Sequence, residues 1–286
     1  MNILTAHQNL TGYLRKRSVE SPGLASEIII SHALAIPRIQ IYASFERTLA
    51  DGEKDLIRAL ARRVADGEPI QLVVGSAHFL GRTFIVQPGV FIPRPETEVL
   101  VETVIRLLED GASGDVSFLD IGAGCGVIAV SLLLRFDTAA ATATDVSPAA
   151  LALAARNAQA HGVLHRLTLL EGDAFAPLTG DPPPLFHCIV SNPPYVKTAE
   201  IPALDALVRD HDPRTALDGG DDGLETIRKI VTQSPHFLAP GGLLALEVGA
   251  GQAEPTLECF RAAGIAGTRA HRDLAGIERV ITGWKK

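Results

Sequence analysis

At 286 residues, 47% hydrophobic and 21% charged, the chain has an ordinary globular composition and is long enough for one large domain plus a small one. Its formal net charge of −7 supplies no electrostatic footprint for gripping a phosphate backbone, which argues against a DNA or RNA partner. The three cysteines, Cys125, Cys188 and Cys259, are too scattered for a disulfide framework or a zinc site, and no apolar run reaches membrane-spanning length, so a cytoplasmic protein without metal is expected.

Residues 1–72 read as helices. Leu10 and Leu14, then Leu24, Ile28, Ile29 and Leu34, then Leu56, Leu60 and Val64 recur at helical spacing, punctuated by Pro22 and Pro37. No catalytic constellation falls there. Arg62 and Arg63 read as a solvated helix face, and the segment suits a substrate-recognition domain as well as a stabilising cap. Residues 73–92 change character. Val73-Val74-Gly75, Phe79-Leu80-Gly81 and Phe84-Ile85-Val86 are short apolar pieces parted by glycines and Pro88, the pattern of a β-hairpin linker. A third region, 93–286, opens on Pro93-Arg94-Pro95-Glu96-Thr97-Glu98 and an apolar helix that Glu96 or Thr97 can cap. Arg94, held extended between two prolines, is expected to line a site and touch substrate.

From Ser117 strands and helices alternate. Strands are expected at Ser117–Ile121, ending at Thr142–Thr144, then at Leu167–Glu171, Phe186–Ser191 and Leu243–Val248, with two short ones near Thr268–His271 and Glu278–Thr282. This alternation predicts an α/β fold with a mostly parallel sheet covered by helices on both faces.

The loop after the first of these strands, Asp120-Ile121-Gly122-Ala123-Gly124-Cys125-Gly126, is rich in glycine and opens a helix. Glycine lets a backbone turn sharply and approach a ligand closely. A dinucleotide fingerprint needs glycine or alanine at Val127; the third glycine instead falls at Gly126, a spacing that resembles the loop of S-adenosylmethionine enzymes. Asp145, ending the second strand, sits where a carboxylate binds both hydroxyls of a ribose, and with Ser147 it also suits a helix N-cap. Asp173, after the third strand, is the natural partner for an adenine amino group, with Ala174 beside it. Gly-Asp is also a plain turn former.

The strand Phe186–Ser191 runs into Asn192-Pro193-Pro194-Tyr195, at the carboxyl end where open α/β sheets bind ligands. The Asn192 amide accepts and donates at once, Pro193 offers a carbonyl, Pro194 stiffens the loop and Tyr195 adds a flat face. Together they describe a socket for a small planar group with N–H donors. The tetrapeptide resembles the signature of methyltransferases that act on planar sp2 nitrogens.

Taken in order, FIPRPETE (91–98), DIGAGCG (120–126), TDVSPAAL (144–151), EGDAF (171–175), VSNPPYV (190–196), DPRTALDGGDDGL (212–224), LEVGAGQ (246–252) and DLAGIERVI (273–281) resemble the HemK-type release-factor glutamine N5-methyltransferase family over nearly the full length. The resemblance implies a seven-stranded Rossmann-like methyltransferase domain, a helical amino-terminal domain that docks the partner, and S-adenosylmethionine as donor. It implies methylation of the glutamine in the Gly-Gly-Gln loop of class I peptide-release factors. A monomer with no membrane partner is expected. His187, Asp212 and Ala174 depart from residues common in the family; Ala174 stands where some relatives place a tryptophan against adenine, leaving Phe175 or another residue to cover it. On this reading Asn192 Oδ1 and the Pro193 carbonyl each accept one N–H of the substrate amide, Tyr195 packs on the amide plane, and no general base is needed. A ribosomal-protein glutamine, the adenine N6 of a nucleic acid, and a non-catalytic adaptor binding S-adenosylmethionine remain alternatives.

Overall fold

The computed structural model describes residues 1–109 and 116–286. They form two compact units, residues 1–76 with 205–211, and residues 77–204 with 212–286.

The first unit contains α1 (Ile3–Lys16), α2 (Pro22–Leu34), α3 (Arg38–Ala43), α4 (Asp51–Ala65) and α5 (Ile70–Val74). Asn2 caps α1 by accepting the Thr5 N–H at 2.9 Å. Leu10, Leu14, Ile29, Ile30, Leu60 and Val64 meet in its core. The buried stripe of α4 is Ile57, Leu60, Ala61 and Val64, one position round from the expected one, so Leu56 is exposed, as is Leu24 on α2. Val73-Val74, expected as a strand of the linker, is the end of helix α5. Its Val73 is buried in the helical core, and that tertiary packing overrides the β preference of valine. The chain returns to this unit for residues 205–211, which sequence reasoning assigned to the second domain. There Asp205 caps the short α9 (Ala206–Arg209), and His211 Nε2 lies 2.9 Å from the Gly67 carbonyl oxygen.

The second unit starts within a hairpin of β1 (Ser76–Phe79) and β2 (Arg82–Ile85), at Ala77. A seven-stranded sheet follows, built from β3 (Ser117–Ile121), β4 (Ala140–Asp145), β5 (Leu167–Glu171), β6 (Phe186–Ser191), β7 (Leu238–Glu247), β8 (Ala266–Arg272) and β9 (Glu278–Trp284), in the order β5-β4-β3-β6-β7-β9-β8. The strands β3 to β7 pair in parallel and β9 runs antiparallel to both neighbours. This is the α/β sheet expected, with longer terminal strands.

Alternation along the strands sorts side chains to two faces. Phe118, Cys188, Val190, Leu243, Ala245 and Val280 join one core with α6 (Glu96–Glu109), α7 (Val127–Arg135) and α8 (Pro148–Ala160). Leu119, Ile121, Ile189, Leu244, Leu246 and Ile281 join the other, with α11 (Glu225–Phe237) and α12 (Ala253–Ala262); the short α10 (Arg214–Leu217) precedes α11. The order reverses between β3 and β6, so the loops after these two strands diverge and leave a crevice at their carboxyl ends. Among the described residues no helix is long and apolar enough to cross a membrane, and no His, Cys, Asp and Glu cluster is arranged for a metal ion.

Asn157 on α8 is fully buried and ties the hairpin to the crevice. Its Nδ2 donates to the carbonyls of Cys125 (2.8 Å) and Ile85 (3.0 Å), and its Oδ1 accepts the Ile85 N–H at 2.7 Å. Asn157→Ala should therefore lower the unfolding free energy by about 2–4 kcal/mol, since each buried polar group left unpaired costs ~1–3 kcal/mol. Urea denaturation measures this, and a loss below ~1 kcal/mol contradicts the bridging role.

Candidate active site

The glycine-rich loop is held from below by β4. The N–H groups of Gly122 and Ala123 both donate to the Thr144 carbonyl, at 2.8 and 3.0 Å. Gly126 has φ +84°, and a Cβ there would lie 3.0 Å from the Ala154 Cβ, so only glycine lets the loop rest directly on α8. Asp145 fixes the loop from the side: its Oδ2 accepts the Gly124 N–H (2.9 Å) and its Oδ1 the Ser147 N–H (2.8 Å). Each oxygen keeps a further lone pair for an incoming hydroxyl. Ser147 caps α8 through the Ala150 N–H at 3.3 Å, so the capping of that helix falls to Ser147 and Asp145 serves the loop. The Cys125 thiol is buried in the core, and burial holds it up at about 12.

Across the crevice, Ser191 Oγ donates to the Ile121 carbonyl at 2.6 Å and locks the end of β6 to the end of β3. Asn192 follows, half-buried, and its Nδ2 donates to Thr97 Oγ1 in the first turn of α6 at 3.0 Å. Among the described residues no group donates to Asn192 Oδ1 or to the Pro193 carbonyl. The next residues are braced by the segment before α11. Val196 N–H donates to Leu217 O (2.9 Å), and Gly219 N–H donates to Val196 O (2.8 Å). At Gly223, φ +77°, a Cβ would sit 2.4 Å from the Tyr195 carbonyl oxygen. Gln252 closes the brace: its Nε2 donates to Tyr195 O (2.9 Å) and Gly223 O (3.3 Å), and its Oε1 accepts the Gly249 N–H (2.9 Å).

Several expected roles change. Arg94 does not stand free toward a substrate. Its guanidinium pairs with the buried carboxylate of Asp212 and lies 5.2 Å from the Phe91 ring centroid, while Asp212 also accepts the Ile92 N–H at 3.2 Å. The Asp212 carboxylate thus pins the FIPRPETE segment. Asp173 is mostly exposed and ion-paired with Lys229. Ala174 is buried with φ +54°, and Phe175 stacks on Phe237 at 4.7 Å in the core, so Phe175 is not free to cover an adenine. Tyr195 is half-buried, with one side of its ring packed against the core beside Gly249. His187 accepts the Ser117 N–H at 3.1 Å on its Nδ1, a structural role at the start of β3.

Residues 5–75 match the family model of the PrmC N-terminal domain, and residues 81–212 match that of the methyltransferase small domain. The chain is 44% identical to the release factor glutamine methyltransferase of Geobacter sulfurreducens over 272 residues, 95% of this chain and 93% of that protein. It is 38% identical to the one of Nitratidesulfovibrio vulgaris over 286 residues, 97% of this chain and 95% of that protein. The chain belongs to the release factor glutamine methyltransferase family. A methyltransferase crystal structure from Pyrococcus furiosus has the same fold, with TM-score 0.53 at 17% identity over 78% of this chain and 96% of that one.

This family member holds two buried carboxyls at the crevice that sequence reasoning used only in part. Asp120 is fully buried at the end of β3; its Oδ2 accepts the Ala129 N–H at 3.1 Å and its Oδ1 has no partner, and burial raises its pKa to about 7. Glu247, at the end of β7, received no role although it lies in the quoted LEVGAGQ segment; burial raises it to about 7 also. Gln252 was likewise missed. Its signal was only the same segment, because its partners are backbone atoms of distant loops.

The two carboxyls set a pH dependence. Unfolded, they release protons near their ordinary values of 3.8 and 4.5, whereas the folded protein holds them until about 7. The stabilising contribution is complete below the unfolded values and is lost as pH rises through about 7. The thermal midpoint should thus fall as pH is raised from weakly acidic to weakly basic, and Asp120→Asn should remove a large part of that slope in calorimetry. An unchanged slope in the variant would mean that Asp120 ionises normally.

Proposed function

We propose that this protein transfers a methyl group to the side-chain amide nitrogen (N5) of the glutamine in the Gly-Gly-Gln loop of class I peptide-release factors, with S-adenosylmethionine as donor and the helical first unit recognising the partner. The observation that carries this reading is the pair of uncommitted acceptors, Asn192 Oδ1 and the Pro193 carbonyl, at the switch-point crevice, with the Asn192 amide nitrogen already anchored to Thr97. The names of the curated relatives supply the substrate class.

The crevice fits the donor. Its glycine loop presents backbone without side chains, and Asp145 retains accepting capacity for a ribose while fastening that loop. The buried Asp120 Oδ1 is a free acceptor beneath it. On this assignment Gly122, Ala123, Gly124, Cys125 and Gly126 contact the donor through the main chain, and Asp145 binds the ribose. Asp173 reaches the adenine only by exchanging its Lys229 partner. When bound, S-adenosylmethionine supplies an electrophilic methyl on a sulfonium centre.

What the protein does is aim the nucleophile. An amide nitrogen is weak because its lone pair is delocalised into the carbonyl, so orientation supplies most of the gain. Asn192 Oδ1 and the Pro193 carbonyl each accept one N–H of the glutamine amide. As positive charge grows on that nitrogen, both acceptors bind more strongly in the transition state than in the ground state. Tyr195 and Pro194 form the wall against which the amide plane packs. The methylated, positively charged amide is acidic enough to lose its proton to water.

The deciding measurement is methyl transfer from labelled donor to a purified release factor and to its Gln→Ala version, with a ribosomal-protein extract and DNA as competing substrates. Label in the release factor alone, lost with the glutamine, is the expected result; label in DNA or in a ribosomal protein instead would overturn the assignment. Asn192→Ala should reduce single-turnover transfer by roughly 10²–10³-fold, the scale seen when one transition-state hydrogen-bonding group is removed. Donor binding should persist in that variant, and near-normal turnover would remove Asn192 from the mechanism.

A further inference from the structure

Glu247 is 1% exposed, its Oε2 has no hydrogen-bond partner, and nothing in the mechanism above uses it. A carboxyl kept dry at the rim of a site is costly, so its neighbours are informative. The parallel register pairs Ser191 with Leu246, which sets Asn192 and Glu247 side by side one step further on. Both follow the strand parity of Val190 and Ala245, toward the face covered by α6. The first turn of α6 presents Thr97, itself 3% exposed, to this pair. The Thr97 hydroxyl and the Asn192 amide both lower the pKa of the Glu247 carboxyl, as polar donors close to it do.

Donor and acceptor bookkeeping at Thr97 fixes the direction of the chain. Its Oγ1 accepts from Asn192 Nδ2 at 3.0 Å, so its single hydrogen is left for another acceptor, and the Glu247 carboxyl lies beside it. We propose that Glu247 is a positioning residue for methyl transfer: through the Thr97 hydroxyl its carboxylate fixes which way the Asn192 carboxamide faces and strengthens Oδ1 as an acceptor. The inference rests on the function proposed above. A flipped carboxamide would turn Oδ1 toward the Thr97 oxygen and the carboxylate, setting acceptors against one another. The negative charge therefore selects the rotamer that offers Oδ1 to the substrate. It also polarises the chain from carboxylate to hydroxyl to amide, as linked hydrogen bonds do at low dielectric.

The groups facing Glu247 set its titration. Burial is the main cause of its raised pKa and Glu96 on α6 adds to it, while Arg279 on β9 lowers it. Arg279 is itself paired with Asp273 at 3.3 Å, which limits what it can offset. Tyr195, after β6, is half-buried, and desolvation holds it up at about 12, so it stays neutral. Charge at Glu247 is therefore gained as pH rises through about 7 and lost below it.

The test uses the full-length protein and a release factor in single-turnover transfer at saturating donor, across weakly acidic to weakly basic pH. Glu247→Gln should slow transfer roughly 10- to 100-fold at weakly basic pH, the scale of a hydrogen bond to a charged group, and should flatten the acid limb that the wild type shows. The loss should fall in kcat with little change in KM. Thr97→Val should give a similar loss, and the double variant should be no slower than the worse single one, the mark of groups acting in one chain. Thr97→Ser, which keeps the hydroxyl, should recover most of the rate. A Glu247→Gln enzyme within twofold of the wild type, or one that keeps the acid limb, overturns the role. So does a loss of activity that merely tracks a fall in thermal midpoint and donor binding. A wild type inactive on release factor sinks the proposed function itself, whereas an unaffected variant beside an active wild type sinks only the role of Glu247.

Discussion

The hydrogen bond from Ser191 Oγ to the Ile121 carbonyl, at 2.6 Å, joins the last residues of two strands that part company immediately afterwards. One chain end turns into the glycine loop and the other into Asn192-Pro193-Pro194-Tyr195. Because the strand order reverses here, no crossover helix fills the space between the two loops. The remaining site residues stand in place because this junction does. Asp145 steadies the first loop, Thr97 anchors the second, and the parallel register brings Glu247 up beside it.

The polar groups are unevenly satisfied. Asp145, Asn157 and Gln252 each make several hydrogen bonds to backbone, spanning up to 72 residues of sequence. Asp120 and Glu247 instead keep an oxygen without a partner in the dry interior. Fully paired groups rigidify; unpaired buried ones cost stability and concentrate where chemistry is performed. The contrast separates scaffold from site more cleanly than burial alone does.

Much of this was legible in the sequence. The strands announce themselves as short apolar runs ending in loop residues, and the strand from Phe186 to Ser191 has the bounds expected of it. The glycine loop and the Asn-Pro-Pro-Tyr turn are local patterns with local physical reasons. What could not be read was partnership at a distance. Arg94 looked available because its partner Asp212 lies 118 residues away. Phe175 looked like a cover for adenine because the stacking Phe237 belongs to a later helix. Val73 and Val74 carry strand preferences that only the packed helical core reverses. Glu247 sat in plain view within a quoted segment, but its burial and its neighbour Thr97 emerge only once α6 is laid across the sheet.

At Gly223 the main chain of one loop presses on the main chain of another, with the Tyr195 carbonyl where a side chain would otherwise stand. A contact made backbone on backbone has no rotamer of its own to relax. Making room at this point for a bulkier guest requires rerouting the peptide itself.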